Sequence, residues 1–168
     1  MTLVIRPATR DDLPAIRPVI ERAYRGESAR AGWTHEADLI EGDRTSIEDL
    51  VAIVDSPRDV LLVARDGDTV IGCVNVADRG DGTAYLGLLC VDPTLQAGGI
   101  GKQIIVAAEA HARDVFGAAR MEMTVIDKRG KLIEFYQRRG YAETGEIRDF
   151  PIALDPPLFL TVLVKPLA

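Results

Sequence analysis

Leu88-Leu89-Cys90-Val91-Asp92-Pro93-Thr94-Leu95-Gln96-Ala97-Gly98-Gly99-Ile100-Gly101-Lys102-Gln103-Ile104-Ile105 is the stretch that decides the fold. It reads as an apolar strand, a proline-marked turn, a glycine-rich loop and the start of a helix. Gly98, Gly99 and Gly101 remove side chains where the backbone must turn sharply or come close to a ligand. The helix that follows leaves its first N–H groups without intrahelical partners, so they point at whatever lies in front of them. The natural occupant is an anion, most simply a phosphate.

Upstream, Val60–Ala64 and Val70–Val76 flank Asp66-Gly67-Asp68, a good antiparallel hairpin. A second turn, Asp78 to Gly82, leads into Tyr85 through Val91, so a three-strand meander precedes the glycine loop. Earlier still, Leu3-Val4-Ile5 reads as a short strand, with Thr9 or Asp11 able to cap the helix after it. Leu13, Ile16, Val19, Ile20 and Ala23 recur at helical spacing, and Pro18 predicts a kink. Tyr24 to Arg44 reads as a partly helical, partly irregular flap punctuated by Gly26, Gly32 and Gly42. Thr45 or Ser46 with Glu48 resembles a capping box opening a second helix, which Ser56-Pro57 stops.

Downstream, Ile100, Ile104, Ile105, Ala108, Ala112, Val115 and Phe116 form one apolar stripe at helical period, ended by Gly117. Met121, Met123 and Val125 alternate with Glu122 and Thr124, the pattern of a strand with one face on the core. A short helix through Leu132, Ile133, Phe135 and Tyr136 ends at Gly140. Two strands follow, from Tyr141 and from Leu158 to Val164, around a proline-bounded loop.

The chain has 168 residues, enough to bury one core without metal or disulfide support, and one domain over 1–168 is expected. Hydrophobic residues make up 47% and charged residues 27%, a soluble globular composition, and no apolar run is long enough to span a bilayer. The N-terminus lacks the pattern of a signal peptide, so a cytoplasmic protein whose mature chain starts here is expected. Cys73 and Cys90 lie in apolar runs and read as buried free thiols; no metal-ligand spacing links them with the two histidines, and no metal is expected. A net charge of −6 disfavours nucleic acid as a partner.

Three phosphate loops compare with the glycine stretch. A P-loop needs Ser or Thr after its lysine, and Gln103 follows Lys102. A dinucleotide fingerprint needs a small residue where Ile104 stands, and a strand-helix-strand unit rather than a meander. Gln96-Ala97-Gly98-Gly99-Ile100-Gly101 instead resembles the Gln/Arg-x-x-Gly-x-Gly/Ala pyrophosphate loop of the GCN5-related N-acetyltransferase (GNAT) family. Val91-Asp92-Pro93 matches the end of that family's splayed central strand, and Phe135-Tyr136-Gln137-Arg138-Arg139-Gly140-Tyr141 looks like its Tyr-x-x-x-Gly-aromatic helix and strand. The order of elements is similar across essentially the whole chain.

The resemblance implies an α/β fold of the α+β kind, a twisted, mostly antiparallel sheet of about seven strands flanked by about four helices. It implies acetyl-CoA as acyl donor and direct attack by the primary amine of a small molecule, protein or peptide. Cofactor contacts are then expected from Leu89, Cys90 and Val91 along the strand, and from Gln96, Ala97, Gly98, Gly99, Ile100, Gly101 and Lys102 in the loop. Arg129 stands where the family often has an asparagine; it either reaches a CoA phosphate or caps the helix start.

Tyr136 matches the family's general acid. Glu36, with His35, is the first candidate for general base. Trp33 and Tyr85 are candidates for acceptor binding, although Tyr85 fits ordinary strand packing equally well. Trp33, Phe150 and Tyr141 are expected to form an aromatic-lined pocket, and His111 to be an ordinary surface residue. A homodimer is compatible with such folds. Two rival readings stay open: a non-catalytic acyl-CoA-binding or sensing domain, and a transferase using a longer acyl-CoA.

Overall fold

The computed structural model describes residues 2–24, 44–151 and 153–167, without the side chains of Gln96 and Ala97. Their chain order is β1 (Leu3–Pro7), α1 (Leu13–Tyr24), α2 (Ile47–Asp55), β2 (Asp59–Asp66), β3 (Thr69–Asp78), β4 (Thr83–Val91), α3 (Ile100–Asp114), β5 (Arg120–Ile126), α4 (Gly130–Gln137), β6 (Ala142–Asp149) and β7 (Phe159–Pro166). The seven strands form one sheet in the order β1-β2-β3-β4-β5-β7-β6. Every pairing is antiparallel except β4 with β5. The expected architecture is present, with one ordering the sequence pattern does not show: β7 lies between β5 and β6.

The alternating apolar residues of the central strands feed two cores, one on each face of the sheet. On one face Leu13, Ile16 and Ile20 of α1 and Leu50 of α2 pack against Leu61, Val63, Cys73, Leu88 and Cys90. On the other, Ile100, Ile104, Ile105 and Ala108 of α3 meet Leu62, Val74, Val76, Leu89, Val91, Met121 and Met123.

Local capping follows the sequence with two refinements. Ser46, not Thr45, caps α2, its hydroxyl accepting from the Asp49 N–H at 3.2 Å. Helix α1 runs unbroken through Pro18. The hydrogen bond Pro18 cannot make would end on the Pro14 carbonyl in the first turn, and both prolines lie on the solvent side, where water can take that carbonyl. At its start, Asp12 is buried and accepts from Arg6 at 2.8 and 2.9 Å, from Arg65 at 3.2 Å and from the Thr9 N–H at 2.8 Å, which joins β1, β2 and the turn into α1.

Two features set the course of β4. The β3–β4 register passes from Cys73↔Cys90 to Asn75↔Gly87, so Leu88 and Leu89 together oppose Val74. This is a β-bulge, and Leu88 takes the left-handed backbone (φ 53°) that bulky residues rarely adopt. Next to it, β3 and β4 come so close that a Cβ on Gly72 would lie 2.5 Å from the Cys90 carbonyl oxygen and 2.9 Å from Ile104 Cδ1. Gly72→Ala should therefore push β4 and α3 off β3 and cost about 2–3 kcal/mol. Chemical denaturation measures this, and an unchanged midpoint would contradict the packing described.

Candidate active site

The parallel contact between β4 and β5 covers only three residue pairs, Thr83↔Arg120, Ala84↔Met121 and Tyr85↔Glu122. Past Tyr85 the strands part. A cavity of about 580 Å³ fills the gap, lined among others by Tyr24, Arg44, Asn75, Tyr85, Leu89, Thr124, Arg129, Tyr136 and Phe150.

The edge of β4 on this gap is polar backbone. The Asp92 N–H donates to the Ile71 carbonyl at 2.8 Å, and Cys90 pairs with Cys73. Positions 90 and 92 thus face β3, while Leu89 and Val91 turn their N–H and C=O groups toward the cleft, since these groups alternate sides along a strand. Cys90, expected beside them, carries its thiol into the core, 3.6 Å from Cys73 Sγ. Both thiols are buried and free.

At the end of β4, Asp92 fixes the entry to the loop. Its carboxylate accepts from Thr94 N–H at 3.1 Å and Thr94 Oγ at 2.8 Å, and pairs with Arg22 at 3.2 Å. A short 3₁₀ turn, Pro93–Gly98, leads to Gly99, whose left-handed backbone (φ 72°) caps α3. Among the described residues, nothing beyond its chain neighbours lies within 4 Å of where a Cβ on Gly99 would be. The first turn of α3 holds no acidic residue, Ile100 and Gly101 are buried, and Lys102 is exposed. The N–H groups of this turn, with the positive end of the helix dipole, face outward without a competing carboxylate. Gly98 to Lys102 lie beyond the cavity wall, at the C-terminal end of the strand that forms it.

Arg129, Leu132 and Tyr136 recur at three and four residues, so one face of α4 lines the cavity. Arg129 occupies the position before α4 but makes no side-chain cap. Tyr136 is 5% exposed, and its hydroxyl has no hydrogen-bond partner among the described residues. Burial pushes its pKa up; Arg129 and Arg139 work in the opposite direction, and Tyr85 adds to the rise. Tyr85 does both things the sequence left open. It lines the cavity, and its hydroxyl meets Thr124 Oγ at 2.6 Å across β4 and β5. Arg79 lies over its ring, 4.6 Å from the centroid.

Phe150 lines the cavity as expected, but Tyr141 does not. Its ring is buried on the α3 side, where its hydroxyl donates to Glu109 at 2.9 Å. Trp33, His35 and Glu36 lie outside the described residues. His111 is half-buried against Phe116 rather than simply at the surface, and burial lowers its pKa. Sequence reasoning passed over Tyr24, Asn75 and Thr124. Asn75 had a signal, being a polar residue inside the apolar run Val70–Val76.

A model of the acetyltransferase (GNAT) family matches residues 19–141. The chain belongs to the GNAT acetyltransferase family. The match takes in the second half of α1, the splayed strand, the glycine loop, α4 and Tyr141. Blasticidin-S acetyltransferase of Streptomyces morookaense is 35% identical over 83 residues, an alignment covering 49% of this chain and 57% of that protein.

Solved structures share the GNAT fold over nearly the full chain. The PaiA N-acetyltransferase of Thermoplasma acidophilum, solved with coenzyme A, is 20% identical with a TM-score of 0.75, covering 99% of both chains. YncA of Salmonella typhimurium, solved with its cofactor acetyl-CoA, is 20% identical with a TM-score of 0.75, covering 100% of this chain and 95% of that one. The ribosomal-protein-S18-alanine N-acetyltransferase of Escherichia coli is 16% identical with a TM-score of 0.76, covering 99% and 95%. Among the described residues no helix is long and apolar enough to cross a membrane, and no cluster of potential metal ligands occurs.

Burial raises the pKa of Tyr136 and Tyr141. Their unfolded-state value is about 10. Their contribution to stability is therefore constant below about pH 10 and is lost as pH rises above it, because the unfolded chain ionises first. In an ultraviolet titration, these two phenols should ionise only with alkaline unfolding. Ionisation of Tyr136 and Tyr141 near pH 10 in the folded protein would show that they are not sequestered.

Proposed function

We propose that the protein is an acetyl-CoA-dependent N-acetyltransferase acting on a primary amine of a small molecule or peptide. One observation carries the reading: the parting of β4 and β5 brings the free edge of a strand, at Leu89, and a buried phenol, at Tyr136, into one cavity. Membership of the GNAT family and the likeness to folds solved with CoA or acetyl-CoA support the donor. The blasticidin-S acetyltransferase relative supports a small-molecule amine among the acceptors to try.

In this reading the backbone N–H groups from Gln96 to Lys102 receive the pyrophosphate of acetyl-CoA, which lets a chain of net charge −6 bind a polyanion without a basic surface. The pantetheine arm lies along Leu89 and Val91 as an added strand, and Arg129 reaches toward the donor. The Leu89 N–H donates to the thioester carbonyl, a bond that strengthens as negative charge develops on the oxygen. The lone pair of the neutral amine forms the new C–N bond, and the tetrahedral intermediate then collapses with cleavage of C–S.

The electron pair leaves on sulfur, and Tyr136 supplies the proton. Its raised pKa keeps the phenol protonated at neutral pH, and Arg129 favours the phenolate left behind. The proton given up by the amine passes to Glu36 as proposed base. Neither cysteine takes part, both being buried in the core.

Release of free thiol from acetyl-CoA with a panel of amines, polyamines, amino acids, peptides and blasticidin S tests this. Turnover with at least one amine is expected, and Tyr136→Phe should lower kcat roughly 10²-fold while leaving CoA binding intact. Tight CoA binding with no acceleration for any amine would point instead to a sensing domain. Full activity of Tyr136→Phe would remove the acid assigned to it.

A further inference from the structure

The bulge in β4 is held by side chains from two other elements, one on each of its carbonyls. The Cys73 thiol donates to the Leu88 carbonyl at 3.5 Å. From α1, the Tyr24 hydroxyl donates to the Leu89 carbonyl at 2.5 Å. A left-handed leucine persists only where its surroundings over-determine it, and these two contacts lie at that residue and the next.

Tyr24 is itself fixed. It is the last residue of α1, directly after the fully buried Ala23 and one turn beyond Ile20. The Arg44 guanidinium lies over its ring, 5.1 Å from the centroid. Arg44 is placed in turn by Glu21, whose carboxylate accepts the Arg44 and Thr45 N–H groups at 2.8–2.9 Å. The hydroxyl thus ends a rigid chain of contacts running from the α1 core to the one segment of β4 that is out of register.

Within a strand, the N–H and C=O of one residue point to the same side. A donor that fixes the Leu89 carbonyl therefore also sets the direction of the Leu89 N–H. We propose that Tyr24 is a positioning residue for acyl transfer: its hydroxyl locks the Leu88–Leu89 bulge so that the Leu89 N–H is aimed into the cleft at the thioester carbonyl. This rests on the acetyl-CoA reading above. Tyr24 does not touch the reacting atoms; it acts through Leu89.

Tyr24→Phe keeps the ring and removes only the donor. The test compares wild type and Y24F in turnover with the best amine, and in affinity for CoA and for an unreactive acetyl-CoA isostere carrying a methylene in place of sulfur. Y24F should lose at least ~10-fold in kcat with the amine KM within about twofold, and should lose the preference for the carbonyl-bearing isostere while its CoA affinity stays within about twofold. A lower melting temperature with kcat and isostere preference retained would mean that the hydroxyl only satisfies a carbonyl, and would overturn the proposal.

Should Y24F not fold, the wild-type Leu89 amide decides. Its proton resonance should move downfield with the isostere and not with CoA, and equal response to both would overturn the proposal. Wild type that acetylates no amine and binds no CoA would refute the donor reading itself, a result distinct from either outcome for Tyr24.

Discussion

A strand cannot leave its neighbour in the middle of a sheet without exposing backbone donors and acceptors that must find other partners. Beyond Tyr85, β4 leaves β5 in this way, and the rest of the molecule is arranged around the consequence. On one side β4 stays tied to β3, so tightly at Gly72 that no side chain fits between them. On the other side, α1 sends a hydroxyl to one of the exposed carbonyls, α4 turns Tyr136 toward the gap, and the proposed pantetheine arm supplies the missing strand.

The electrostatics follow the same economy. The chain is acidic overall, yet the loop after β4 offers a phosphate only backbone N–H groups and a helix dipole, with no carboxylate in the first turn of α3. Asp92, at the loop entry, is committed to Thr94 and Arg22. Anion binding is thereby separated from net charge. Within the cavity, burial keeps the Tyr136 phenol protonated while Arg129 limits the cost of its ionisation.

How much of this a reader of the sequence could foresee depends on the range of the interaction. The glycine loop, the helical stripe from Ile100 and the alternation Met121-Glu122-Met123-Thr124-Val125 are local patterns, and the structure has the elements they predict. The bulge is invisible because Leu88-Leu89 reads like any apolar strand, and only the partner register shows the extra residue. The bond from Tyr24 to Leu89 spans 65 residues, and no spacing rule reaches that far. Tyr141, expected in the pocket with Trp33 and Phe150, instead packs edge-to-face on Tyr136, with 6.1 Å between ring centroids, and sends its hydroxyl to Glu109 of α3, a partner 32 residues away that no local pattern announces. The insertion of β7 beside β5 is equally hidden, since β6 is exposed along nearly its whole length and carries no buried face to betray its edge position.

The gap between β4 and β5 is the proposed donor site. A crystal structure of the protein with CoA tests it most directly. The pyrophosphate should lie within hydrogen-bond distance of backbone N–H groups between Gly98 and Lys102, and the pantetheine arm should pair with Leu89 and Val91 in the open cleft. CoA bound elsewhere on the molecule, or bound with β4 and β5 closed against each other past Tyr85, would contradict it.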